Sequence, residues 1–411
     1  MKMPDSQSEY SPNTQAELAQ FVTDNAANVQ RSLQPIGGGT ARRDVNADNA
    51  CQVRLDGINR VIDFPARDMT ITVEAGIRVA DLNRILAAEN QRLPIDIPQA
   101  EQATLGGVIA TNWSGSRRFG CGTMRDYVIG ISAIDASGQR FSAGGRVVKN
   151  VAGYDLCKLL VGSRGTLAIV SQVTLKLRPI PEETRIVAFG FNSTEQLDAA
   201  LARLVTSATR PVAIDVSNEP AMQLLNIRRT IEKATMPTLL FVGFEGTQHE
   251  VDWQVEAVTS ELRPFECPWS QTLSKAESEG CWGSLKEFSI RSASSTTIKA
   301  AIPPSRTCEL VRLATQAGMA VQAHAGNGIV IGHLPERVST ADQAVAAIKP
   351  LGDLVRSCGG HLSVLRAPNE WPALDVVADS WAGSLAWTQR LKRQLDPHNL
   401  LNPGVMAFGP A

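Results

Sequence analysis

Three successive glycines, Gly37, Gly38 and Gly39, end the apolar run Leu33-Gln34-Pro35-Ile36 and lead into Thr40. A helix or strand interior is weakened by each such residue, so the chain must turn here. The missing Cβ atoms also let backbone N–H groups converge on one oxygen-rich ligand, as in an anion-binding nest. Taken alone, such a turn is more often a plain loop. It is not a Walker A loop, because no Gly-Lys-Ser/Thr follows, and no G-x-G-x-x-G stands between a strand and a helix. A nicotinamide-binding Rossmann domain therefore has no support.

A second small-residue tract is Thr104-Leu105-Gly106-Gly107-Val108-Ile109-Ala110-Thr111-Asn112. Its small side chains permit close approach to a cofactor, or tight packing of a helix under a sheet. A third tract, Gly162-Ser163-Arg164-Gly165-Thr166-Leu167, follows the segment Lys149 to Leu156. Between the tracts the periodicity is mixed. Leu18, Phe21 and Val22 recur at helical spacing, as do Val79, Leu82, Ile85 and Leu86 within residues 78–90. Val53 to Leu55 and Thr70 to Val73 alternate as strands do. The stretch Arg178-Pro179-Ile180-Pro181-Glu182-Glu183 sets a domain boundary. Beyond it, strands (Leu239 to Phe244, Val330 to Gly332) alternate with helices (Leu197 to Leu204, Ala341 to Ile348), the pattern of an α+β domain.

At 411 residues the chain holds material for two or three domains. Forty basic against 41 acidic side chains give a net charge of −1, which argues against a nucleic acid partner. Seven cysteines without a C-x-x-C exclude a clustered iron–sulfur or structural zinc site and fit a reducing compartment. No secretory signal or membrane-spanning stretch is visible, so a cytoplasmic location is expected.

The order of the tracts, completed by Arg125-Asp126 and Asn402-Pro403-Gly404, resembles the FAD-binding domain of the vanillyl-alcohol oxidase and p-cresol methylhydroxylase (PCMH-type) superfamily. Within its 2-hydroxy-acid oxidase branch, the chain is most similar to the FAD-binding E subunits of bacterial glycolate oxidases. The resemblance implies an α+β fold: a two-subdomain FAD-binding domain over residues 1–182, an α+β cap over 183–366, and a segment, 367–411, returning to the flavin domain. It also implies two backbone loops at the FAD pyrophosphate, one of Gly37, Gly38, Gly39 and Thr40, the other of Thr104, Gly106, Gly107 and Ala110. A side chain added at Gly38 or Gly107 is expected to displace the phosphates while the chain still folds. Gly165, Thr166 and the strand ending near Val170 are expected toward the adenine–ribose or flavin side, and Asn402 completes the set. Arg164 stands where relatives usually have glutamate and receives no role. Thr40 occupies the place of the histidine that attaches flavin covalently in some relatives, and Cys121 is expected to be an ordinary thiol. FAD is therefore expected to be non-covalent.

Related hydroxy-acid dehydrogenases carry His-x-Gly-Asp-Gly-Asn-x-His and Gly-Gly-x-x-Ser-Gly-Glu-His, which supply metal ligands and a base. Here the first pattern survives as His324-Ala325-Gly326-Asn327-Gly328-Ile329-Val330-Ile331, and the second keeps Gly359, Gly360 and Ser363 but ends in Leu365-Arg366. Two carboxylates and two imidazoles are gone, so no metal is expected. His324 is expected to be vestigial or structural, with Arg366 as a carboxylate fork or a surface arginine. The resemblance implies an FAD subunit that works beside a catalytic flavoprotein and an iron–sulfur subunit on glycolate or another small 2-hydroxy acid, peripheral to the inner membrane at most. A free-standing hydroxy-acid dehydrogenase and a scaffold with a degenerate flavin site are the alternatives. Trp253, Trp269, Trp282, Trp371, Trp381 and Trp387 are candidate partner anchors, most of them expected in the core.

Overall fold

The computed structural model describes residues 8–40, 50–145, 155–227, 231, 236–265, 267–291, 294, 296–368, 370–371 and 382–405. The segment 149–154 and Trp381, singled out above, lie outside the described residues. The chain divides into two compact units. The first holds residues 1–114, 122–180 and 382–411, and the second holds 115–121 and 181–381. Residues 115–121, within the stretch assigned by sequence to the flavin domain, thus group with the second unit.

In the first unit a three-stranded parallel sheet runs in the order Glu9–Tyr10, Cys51–Arg54, Leu33–Ile36. Helix Gln15–Asp24 covers it because Leu18, Phe21 and Val22 share one face, and they pack with Leu33, Val53 and Leu401. A second, five-stranded antiparallel sheet has the order Val61–Asp63, Thr70–Glu74, Ile169–Lys176, Val128–Ile134, Arg140–Gly144. Its central strand, Ile169–Lys176, is paired on both edges and buried along most of its length. Helix Val79–Ala87 packs Val79, Leu82 and Leu86 into the same core as Ile71, Val73 and Val173, with Ile85 half-buried against them.

The second unit is built on an eight-stranded antiparallel sheet. Its long strand Glu183–Phe191 shows how the sheet divides two cores. Successive side chains point to opposite faces, so Val187, Phe189 and Phe191 enter one cluster while Ile186 and Ala188 enter the other. The first cluster is closed by helices Thr194–Val205, Gln248–Leu262, Thr307–Gln316 and Ala341–Ser357, the second by Glu219–Leu224 and Lys275–Lys286. The helix expected over 341–348 runs on through Pro350 to Ser357. A proline costs a hydrogen bond there, but Ile348, Leu351, Leu354 and Val355 continue the apolar stripe into the core and outweigh it. Among the described residues, no helix is long and apolar enough to cross a membrane. All seven cysteines are free thiols.

Candidate functional site

The separated tracts of the first unit come together around one pocket. Gly37, Gly38, Gly39, Thr40, Thr104, Gly107, Ala110, Thr111, Arg164 and Asn402 all line it. Gly37 and Gly38 pass so close to residues 102–104 that a Cβ on Gly38 would stand 1.7 Å from the Gln102 carbonyl oxygen. Gly39 differs: it has φ +72°, and a Cβ there would meet nothing within 4 Å, so its backbone borders open space. Thr104 caps helix Leu105–Thr111, its hydroxyl accepting from the Gly107 N–H at 3.4 Å. The third tract is hung on the end of that helix. The Gly162 N–H donates to the Ile109 carbonyl at 2.9 Å and the Arg164 N–H to the Ala110 carbonyl at 2.8 Å.

The carboxyl-terminal segment closes the remaining side. Leu401 bridges Leu33 in parallel, with the Leu33 N–H donating to Leu400 O at 2.7 Å and the Asn402 N–H to Leu33 O at 2.9 Å. The Asn402 side-chain amide then donates to the Arg164 carbonyl at 2.8 Å. This segment is pinned by Lys392, which is 7% exposed. Its ammonium donates to Asp396 at 2.5 Å and to the carbonyls of Thr166 and Leu401, both at 2.8 Å. Asp396 in turn accepts from the Leu400 and Leu401 N–H groups. Burial lowers the Lys392 pKa, and the Asp396 carboxylate opposes that shift.

Four residues expected at the site lie outside the lining, each with another task. Gly106 donates its N–H to the Ala75 carbonyl at 2.7 Å, and its small size lets the helix lie against that strand end. Thr166 is buried, bonding through its hydroxyl to Ser163 O at 2.7 Å. Val170 belongs to the core of the five-stranded sheet. Gly165, at φ +68°, adjoins the Asn402 amide. Conversely, Arg164 lines the pocket without having been assigned a role, and Lys392 and Asp396 escaped notice.

The lining suits a diphosphate-bearing cofactor. Its described residues include glycines, threonines, two carboxamide residues and one arginine, with no carboxylate.

In the second unit, His324 is 4% exposed, and its Nδ1 lies 2.9 Å from Oδ1 of the fully buried Asp215. The pair stand directly opposite each other on antiparallel strands, Ala213–Asn218 and Ala320–His324. The other carboxylate oxygen accepts from Ser116 Oγ at 2.5 Å and from the Gln322 side-chain amide at 2.8 Å. A carboxylate only accepts, so Nδ1 carries the proton that it donates. Burial pushes the nearby Cys281 thiol up to about 12, with the Asp215 charge adding to it, which leaves that thiol unreactive. Ile329 and Ile331, where relatives' pattern places polar ligands, are buried in an apolar cluster. The Asn327 side-chain oxygen is buried and has no hydrogen-bond partner. Arg366 is exposed and donates to the Ser294 carbonyl at 2.7 Å. Among the described residues, no three His, Cys, Asp or Glu side chains are grouped to hold a metal ion. Of the tryptophans, Trp282 is buried, while Trp253 and Trp387 are exposed.

Two family models match the chain: an FAD binding domain over residues 9–144, and the C-terminal domain of FAD linked oxidases over residues 180–363 and 380–406. The chain is 24% identical to glycolate oxidase subunit GlcD of Bacillus subtilis, covering 85% of this chain and 77% of that protein. It is 25% identical to a mitochondrial cytochrome-type D-lactate dehydrogenase of Arabidopsis thaliana, covering 96% and 72%. Glycolate oxidase subunit GlcE of Escherichia coli is 36% identical, over 29% of this chain and 35% of that protein. Among solved structures, an alkyldihydroxyacetonephosphate synthase shares the fold with a TM-score of 0.67 at 19% identity, covering 96% of this chain and 75% of the other.

Proposed function

The chain belongs to the FAD-linked oxidase family and is an FAD-dependent oxidoreductase, and from that premise we propose that it is the accessory flavin subunit of a complex that oxidises glycolate or a similar 2-hydroxy acid. Its partners in this reading are a catalytic flavoprotein and an iron–sulfur subunit; that two of its relatives are named as glycolate oxidase subunits supports a complex. Bound FAD supplies a two-electron acceptor. Gly37, Gly38, Gly39, Thr40, Thr104, Gly107, Ala110 and Asn402 would hold its diphosphate, and the described lining residues include no His, Cys or Tyr that could attach it covalently. In this reading the complex works in the cytoplasm, where free thiols such as those of this chain persist.

One observation carries the division of labour. The pocket brings eight of the expected residues together, while Ile329 and Ile331 fill apolar core where relatives' pattern places ligands. The test is co-expression with the two partner subunits. The chain alone should show an oxidised flavin spectrum yet fail to reduce a dye with glycolate, and the complex should co-purify and turn over. Turnover by the isolated chain at the rate of the complex would defeat the proposal.

The Asp215–His324 pair favours a second reading, a free-standing hydroxy-acid dehydrogenase. An imidazole held by a buried carboxylate is a general-base arrangement as well as a structural one. Under this reading the isolated chain turns over D-lactate or glycolate, and His324→Gln removes that activity.

A further inference from the structure

We infer that the guanidinium of Arg164 is a direct ligand of the FAD diphosphate and supplies its counter-charge, a conclusion that rests on the FAD reading of the pocket. Among the described lining residues, Arg164 is the one charged side chain. Backbone N–H groups and threonine hydroxyls present dipoles to a doubly negative group, but they do not neutralise it. A planar guanidinium does, and its fork matches two oxygens at once.

The position of Arg164 is fixed by the walls of the pocket. Its N–H donates to Ala110, which lines one wall, and its carbonyl accepts from Asn402, which lines another, both at 2.8 Å. Between those bonds its backbone sits at φ +52°, a left-handed conformation uncommon for a residue with a Cβ. Glycine would adopt it with less strain, and glycine already stands on the carboxyl side at Gly165. The chain holds an arginine in that strained place, on the lining of the pocket. Strain at a binding pocket is where a side chain with a task is found.

The test uses full-length protein stripped of flavin and titrated with FAD, with and without added KCl. Arg164→Gln should raise the Kd about tenfold or more, Arg164→Glu further, and Arg164→Lys by only a few-fold, as expected for one charge-assisted contact. Wild-type affinity should fall with KCl more steeply than that of Arg164→Gln. Melting of the flavin-free variants reports whether the fold survives. If a variant does not fold, the wild-type salt response still decides, because an affinity indifferent to KCl overturns the inference. Equal Kd and salt response in wild type, Arg164→Gln and Arg164→Glu also overturn it while leaving the FAD reading intact. A wild-type chain that takes up no FAD overturns both.

Discussion

At Gly107 an added Cβ would find the Thr104 hydroxyl at 3.4 Å, an ordinary contact, whereas at Gly38 it would strike a backbone carbonyl at 1.7 Å. The two glycines of the pocket thus answer different experimental questions, and the expectation that both tolerate a side chain is corrected by the geometry. Gly38→Val should destabilise the protein itself, because the Gln102 carbonyl cannot move without residues 102–104. Gly107→Val should melt within a few degrees of wild type and yet lose most of its flavin. The measurement is the flavin-to-protein ratio beside a flavin-free melting curve. Wild-type flavin content in Gly107→Val would remove that residue from cofactor contact. The sequence alone made the glycine tracts visible, since an unbranched backbone is written in the residue type. It could not separate glycines that face a ligand from those that face their own chain.

The helix Ala382–Leu395 acts through one residue near its end. Lys392 ties Asp396, Thr166 and Leu401 together, and so fixes the strand bridge that carries Asn402 to the pocket. Lys392→Met should cost about 3–5 kcal/mol, because it leaves the Asp396 carboxylate buried without its cation. Chemical denaturation measures the loss, and the same variant should bind FAD more weakly as Asn402 is released. A change within error of zero would show the lysine to be a passive filler. Elements of this kind divide by how far apart their determinants lie. Helices such as Val79–Ala87 and Thr194–Val205 were legible because a periodic apolar stripe is a local signal. The Asp215–His324 pair was not, since its partners come from distant parts of the chain, and the lysine clamp was not, since an i,i+4 Lys–Asp pair reads as a surface pair until the fold buries it against Thr166. Asp215 did leave one trace: a carboxylate between Ile214 and Val216 in an apolar run has to be met by donors somewhere. The path of the helix through Pro350 was hidden for another reason, since local propensity argues against it and only tertiary packing decides.

The whole molecule should weaken in mild acid, and His333 supplies part of the reason. It lies 1% exposed, with Nε2–H donating to the Phe288 carbonyl at 2.7 Å and Nδ1 accepting from the Thr297 hydroxyl at 2.9 Å. Burial pushes its pKa down from 6.5 to about 4, with the Arg366 charge adding to it and the Phe288 bond opposing. Between those values the unfolded chain binds a proton that the folded chain refuses, so stability falls as the pH drops through that window. The contribution reaches at most about 3 kcal/mol. Denaturation curves taken across the window should show a shallower pH dependence in His333→Gln than in wild type, and parallel curves would assign the acid response to other groups. A different consequence follows from the way Leu401 and Asn402 shut the pocket. Translation delivers the three glycine tracts early, then the entire second unit, and only afterwards the lysine and the amide that finish the site. A nascent chain therefore lacks this closure throughout synthesis of residues 181–381. A chain that stops before Lys392 should hold flavin more weakly than the full chain, and full-chain flavin content in such a truncation would show this closure to be dispensable.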